Sequence, residues 1–148
     1  AVWTFDQDQR RLWYHGTYSP GHAVGAHQIP NYIESLIMDK KEPFTWVPLG
    51  VTNISNPGIE GPPEVVRHYL ENLDGNAVLG SVGANAFRNC QRLTHVRLDQ
   101  LRGNIGDHAF ATVSHDFRSF SAIRMQGTLG ASVFGTHVLP QYLNLAQL

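Results

Sequence analysis

The chain has 148 residues, 42% of them hydrophobic and 16% charged, with a formal net charge of −1. A chain of this length buries about 68–70% of the surface it exposes when unfolded, so one domain spanning 1–148 is expected. Its near-neutral charge supplies no field to recruit nucleic acid or an anionic membrane, no apolar run approaches the ~20 residues of a membrane span, and the lone Cys90 admits no internal disulfide.

The first predicted element is a β-hairpin in VWTFDQDQRRLWYHGTY, residues 2–18, where aromatic and polar residues alternate on either side of a polar turn. Trp3, Phe5, Trp13, Tyr14 and Tyr18 would give it an apolar side able to close the open end of a larger structure. A Gly-rich loop, GHAVGAH, carries His22 and His27 and completes a unit over 1–32. YIESLIMD follows and is predicted as a strand, because Ile33, Leu36 and Met38 share the spacing that recurs at Leu93, Val96 and Leu98.

Residues 33–78 are expected to be irregular. FTWVPLGVTNISNPGIEGPP reads as a loop or irregular extended segment, since its Pro and Gly argue against a regular central strand. EVVRHYLENLDG, between Pro62-Pro63 and Gly75, predicts a helix near 63–74 with Val65, Val66, Tyr69, Leu70 and Leu73 on one face. NAVLG reads as the strand after it. Asn53-Ile54-Ser55 is a glycosylation sequon, which matters only in a source that glycosylates secreted proteins.

Residues 79–148 repeat. Val82-Gly83 recurs as Ile105-Gly106 and, after an almost equal interval, as Leu129-Gly130. The same offset past each of these apolar residues brings a Phe: Phe87, Phe110 and Phe134. The first copy continues with Leu93, Val96 and Leu98. The second reads as Phe120, Ile123 and Met125, with four extra residues within VSHDFRSF. The third reads as Leu143 and Leu145, with Pro140 in the first slot. Such copies predict short parallel strands about 4.8 Å apart, each burying one face, with the Gly in a tight turn of positive φ and the Phe as a wedge beneath.

VGANAFRNCQRLTHVRL, read as I-G-x-x-A-F-x-x-C-x-x-L-x-x-V-x-L, resembles the BspA-like class of leucine-rich repeats. IGDHAFATVSHDFRSFSAIRM follows the pattern with Val113 in the Cys slot, and LGASVFG…YLNL is a degraded last copy. The W-x-x-D and L-x-x-x-G-T elements of the hairpin look like those that often precede such repeats. The likeness is fullest over 79–127, extends to 128–146 and 2–39, and leaves 40–78 unmatched. It implies an α/β fold: a right-handed leucine-rich-repeat solenoid with a short parallel sheet on the concave face, an irregular or short-helical convex face and an N-terminal hairpin cap. It also implies a non-enzymatic protein-binding or adhesion module of a secreted or cell-surface protein, with no cofactor. The partner would be a host, matrix or neighbouring-cell protein, or a glycan.

Repeats of this class use the concave strand face. Arg97 would face out there, with Arg124 and Asn144 as its equivalents. His95, Ala122 and Tyr142 form the column on one side, and Asp99, Gln126 and Ala146 the column on the other. Stacked Arg97 and Arg124 would grip a carboxylate or phosphate, or else Asp99 and solvent would screen them and leave an ordinary wet face.

His108, His115 and His137 recur on the opposite edge, with no zinc-site spacing and no H-E-x-x-H, so exposed structural histidine is the simpler reading. Cys90 shares its slot with Val113, which suggests a buried apolar role rather than a nucleophile. Ser19 and His22 are close in GTYSPGH, but proximity in sequence makes no triad. No G-x-S-x-G elbow, P-loop or G-x-G-x-x-G is present. The rival readings are a small His-rich metal-binding protein or hydrolase, and a structural module that self-assembles through an uncovered edge at Leu143 and Leu145.

Overall fold

The computed structural model of the protein describes residues 2–16, 22–136 and 139–145. The strands are β1 (Trp3–Asp6), β2 (Arg11–His15), β3 (Ala23–Val24), β4 (Phe44–Leu49), β5 (Asn53–Ile54), β6 (Leu70–Asp74), β7 (His95–Arg97), β8 (Ser119–Ala122) and β9 (Tyr142–Leu145). The helices are α1 (Asn31–Lys40) and α2 (Glu64–Tyr69), with a short 3-10 turn at Ala26–Gln28.

Seven strands form one mixed sheet in the order β1-β2-β4-β6-β7-β8-β9, and β3 and β5 form a second, two-stranded sheet. Only β1 and β2 are antiparallel; every later neighbour in the large sheet is parallel. This corrects the expected right-handed leucine-rich-repeat solenoid with a separate hairpin cap. The hairpin does form, but β2 runs parallel to β4 over Arg11–His15 and Thr45–Leu49. Its backbone bonds therefore fuse it with the later strands into one continuous sheet.

The middle third differs most from expectation. Residues 31–40 are helix α1, not a strand. Pro30 precedes its first turn, Ile33 and Ile37 lie one turn apart and are buried, and Lys41 ends it in the left-handed conformation at φ 54°. Met38, expected to face inward, is exposed, because burial here follows the helical pair Ile33 and Ile37.

FTWVPL is a true interior strand, β4, despite Pro48. The last β4–β6 pair is Trp46 with Leu73, so Pro48 lies past that ladder and its missing N–H removes no bond to β6. Helix α2 stops at Tyr69, because Leu70 is already extended at ψ 116° and opens β6. The expected strand at NAVLG is a turn that buries Val78.

The repeats pack as two stacked layers. Val82, Ile105 and Leu129 form parallel bridges, and Ile54 precedes them in the same stack. Side chains lock this layer: Ser81 N donates to Asn53 Oδ1 at 2.9 Å, Asn104 N to Ser81 Oγ at 2.9 Å, and Thr128 N to Asn104 Oδ1 at 2.8 Å. Asn53 of the sequon is thus the first acceptor of a ladder.

The Gly of each copy is not where the backbone turns left-handed. Positive φ falls instead on Asn85 (61°), His108 (57°) and Ser132 (51°), at the same offset past each apolar bridge residue. Beneath the layer, Trp46, Phe87, Phe110 and Phe134 follow one another through the core with ring centroids 5.8, 5.3 and 6.4 Å apart.

Candidate functional site

In a strand, alternate side chains point to opposite faces. One face of the large sheet buries Leu12, Trp46, Leu73, Val96 and Phe120. The other carries two registered rows. The first runs Arg11, Thr45, Asn72, His95, Ser119, Tyr142, one residue from each strand after β1. The second brings Asp74, Arg97, Ser121 and Asn144 side by side on β6 to β9, with Trp13 beside Val47 on β2 and β4.

Of the residues expected at the site, His95, Arg97, Tyr142 and Asn144 lie on this face. Arg97 and Asn144 are two strand spacings apart, about 10 Å. Arg124 is not above Arg97: Ser121 is. The reason is register. Phe117, not Phe120, fills the slot of Leu93, because Arg118 N donates to Thr94 O at 2.9 Å, and Pro140 follows in the third copy, where Gln141 N donates to Phe117 O at 3.1 Å. Phe120 then pairs with Val96, and the four-residue insertion shrinks to one residue.

Ala122 consequently points into the core and is fully buried. Arg124 lies in the turn after β8, and Gln126, exposed, donates its N–H to Arg102 O at 2.8 Å. Ala146, His137, Tyr18 and Ser19 lie outside the described residues.

The shift of register changes the electrostatics. No stacked guanidinium pair forms. Arg97 has Asp74 across the ladder on one side, and its Nε lies 3.8 Å from Asp99 Oδ2, with the Arg97 side chain 60% and that of Asp99 20% exposed. Arg124 Nη1 donates to the backbone O of Asp99 at 3.4 Å. Asp99 therefore draws both arginines, and among the described residues its buried Oδ1 has no hydrogen-bond partner. Beside Arg97, Thr94 Oγ1 and His95 Nδ1 are 2.8 Å apart, and Asn72 Nδ2 donates to Thr45 Oγ1 at 3.2 Å. The face is polar, carries both signs of charge and is fringed by Trp13 and Tyr142.

Thr45, Asn72, Asp74, Ser119 and Ser121 were missed by the sequence reading. A signal existed for two of them. Leu70 and Leu73 precede Leu93 and Val96 by the same interval that separates Val82 from Ile105, which puts Asn72 and Asp74 on the same face as His95 and Arg97. Their helical-looking flank hid it.

Among the described residues no group of three His, Cys, Asp or Glu side chains is placed to hold a metal ion. His22 Nε2 lies 2.6 Å from Tyr14 Oη with the two rings stacked, and His15 Nε2 lies 3.2 Å from Thr4 Oγ1. Burial pushes the Cys90 thiol up, and Arg67 offsets this only in part. The native protein should therefore resist a thiol reagent such as 5,5′-dithiobis(2-nitrobenzoate) and react at its single cysteine only after denaturation. Prompt native labelling would contradict this burial.

In comparison with known proteins, no family model, no curated protein and no solved structure matches the chain. Among the described residues no helix is long and apolar enough to cross a membrane.

Proposed function

We propose that the chain is a non-enzymatic binding module that recognises a protein of the extracellular matrix, of a host or of a neighbouring cell through the exposed face of its large sheet. The observation that carries this reading is the registered polar row from Arg11 to Tyr142, alongside Asp74, Arg97, Ser121 and Asn144. Rigid parallel strands hold these donors and acceptors at fixed spacing, which lowers the ordering cost of binding. Trp13 and Tyr142 offer the aromatic area that interfaces favour. A secreted or cell-surface location is proposed with it, on the likeness of residues 79–127 to repeats of such proteins.

Surface plasmon resonance on immobilised matrix proteins tests it, with a glycan array as the second arm. Replacing Arg97 by Ser and Tyr142 by Ala removes two exposed side chains and should weaken capture about tenfold or more with an unchanged melting temperature. Equal capture by the double variant would place the site elsewhere. No capture by the unaltered protein on either arm would overturn the reading.

One observation favours a structural role as a second reading. Among the described residues no strand pairs with the outer edge of β9, where Leu143 is 43% exposed. An open parallel edge with an exposed Leu is a template for another strand. Sedimentation should then show a mass that rises with concentration; a constant monomer retires this reading.

A further inference from the structure

A cleft of about 580 Å³ opens in the turn layer, and none of its described lining residues belongs to a strand. Its volume falls in the range of small-molecule sites, about 300–1,000 Å³. The repeat explains why it exists. In the three copies, the residue after the Phe is Arg88, then Ala111, then Gly135. The side chain shrinks to a methyl and then to nothing, leaving space over buried Val113 and Phe134 that Arg88 borders. His108, in the slot of Asn85 and Ser132, and His115, beside the one-residue insertion, also line it.

The chemistry of the lining is one-sided. Arg88, His108 and His115 provide a guanidinium and two imidazoles, Thr112 adds a hydroxyl, and no Asp or Glu is among the described lining residues. Arg88 Nη1 donates to Asn85 Oδ1 at 3.2 Å, which steadies the guanidinium while using one of its five N–H donors.

We propose that this cleft binds a small carboxylic acid with an aromatic or aliphatic body. The body packs on Val113 and Phe134, and Arg88 takes the carboxylate with help from His108 and His115. A guanidinium meets a carboxylate as a planar, two-pronged donor, which a neutral analogue of the same shape cannot exploit. The site is separate from the sheet face and does not depend on the role given to that face.

The probe is 4-phenylbutanoate, titrated by calorimetry and followed by NMR of the histidine rings, with 4-phenylbutan-1-ol as the neutral analogue. Saturable binding is expected, with the rings of His108 and His115 shifting and that of His95 unmoved. The alcohol should bind about tenfold more weakly or worse, and Arg88→Ala should weaken the acid by about the same factor, the effect of one charge-assisted bond. Arg88→Ala and His108→Asn install residues that other copies carry at these slots, Ala111 and Asn85, so the fold is kept. Equal binding of acid and alcohol, undiminished binding by Arg88→Ala, shifts confined to His95, or no saturation up to the solubility limit would each overturn the proposal.

Discussion

Replacing Gly106 by Ala is expected to destabilise the protein by about 3–5 kcal/mol, at the top of the range for single substitutions. A Cβ at this position would collide with Ala84 N and lie 2.7 Å from Ala84 Cα and 2.8 Å from Gly83 C. All three are backbone atoms, so no flexible side chain can swing aside. The backbone cannot retreat cheaply either. Gly106 N donates to Val82 O at 2.8 Å and Gly130 N to Ile105 O at 2.7 Å, so pushing one turn away stretches bonds to its neighbours on both sides.

Guanidinium denaturation read by circular dichroism measures the effect. Gly58→Ala is the control: its φ of 111° is strained for alanine, but nothing stands within 4 Å of the added methyl, so a loss of about 1 kcal/mol is expected. If Gly106→Ala unfolds within about 1 kcal/mol of the unaltered protein, close backbone approach is not why glycine recurs in the repeat.

Phe110→Ala should cost about 3–5 kcal/mol for a different reason. Phe110 is fully buried and sits amid three other rings: stacked on Phe87 at 5.3 Å, edge-on to Phe120 at 5.1 Å and near Phe134 at 6.4 Å. Deleting the ring removes apolar burial and leaves a cavity in the centre of the aromatic row, whose neighbours are too large to collapse into it. Phe110→Leu refills most of that volume and should lose about 1–2 kcal/mol. The ratio of the two losses is the informative quantity. Equal losses would mean that ring–ring geometry, not volume, governs the site. A loss below about 1 kcal/mol for Phe110→Ala would mean that the row is not the core. Since domains are stable by only about 5–15 kcal/mol, either Phe110→Ala or Gly106→Ala brings the chain close to unfolding at ordinary temperature.

The periodic part of the chain was legible because stacked parallel backbone has one repeat length, and chemistry at each slot recurs with it. Val82, Ile105 and Leu129 stack as their spacing implied, and Phe87, Phe110 and Phe134 lie beneath them. One further copy, with Ile54 as its bridge residue and β6 as its strand, was hidden by local look-alikes. Ile54 joins the bridge stack between Val24 and Val82, but it stands farther ahead of Val82 than Val82 does of Ile105. It is also followed by Ser where the later copies have Gly, so it read as a sequon and not as a repeat. Leu70 and Leu73 belong to β6, yet they continue the helical spacing of Val65 and Val66.

The site was half legible. Counting from the Phe places Arg97 and Asn144 on one face, and the register of β7, β8 and β9 sets both beside Ser121. The same counting put Arg124 between them. It failed because Phe117 and Phe120 are both aromatic and are spaced as Leu93 and Val96 are, so either could begin the L-x-x-V-x-L pattern. Only the hydrogen bonds of Arg118 to Thr94 and of Gln141 to Phe117 select Phe117.

By itself, the sequence determined the period, the buried file of branched residues and phenylalanines, and the polarity of the strand positions between them, because burial and period are written into residue type. Tertiary structure alone decided the register of β8, the fusion of the hairpin with β4 into one mixed sheet, and the neighbours of Arg97. Those depend on which backbone donors find which acceptors between segments far apart in the chain, and a one-residue slip there exchanges the two faces of a strand without altering its composition.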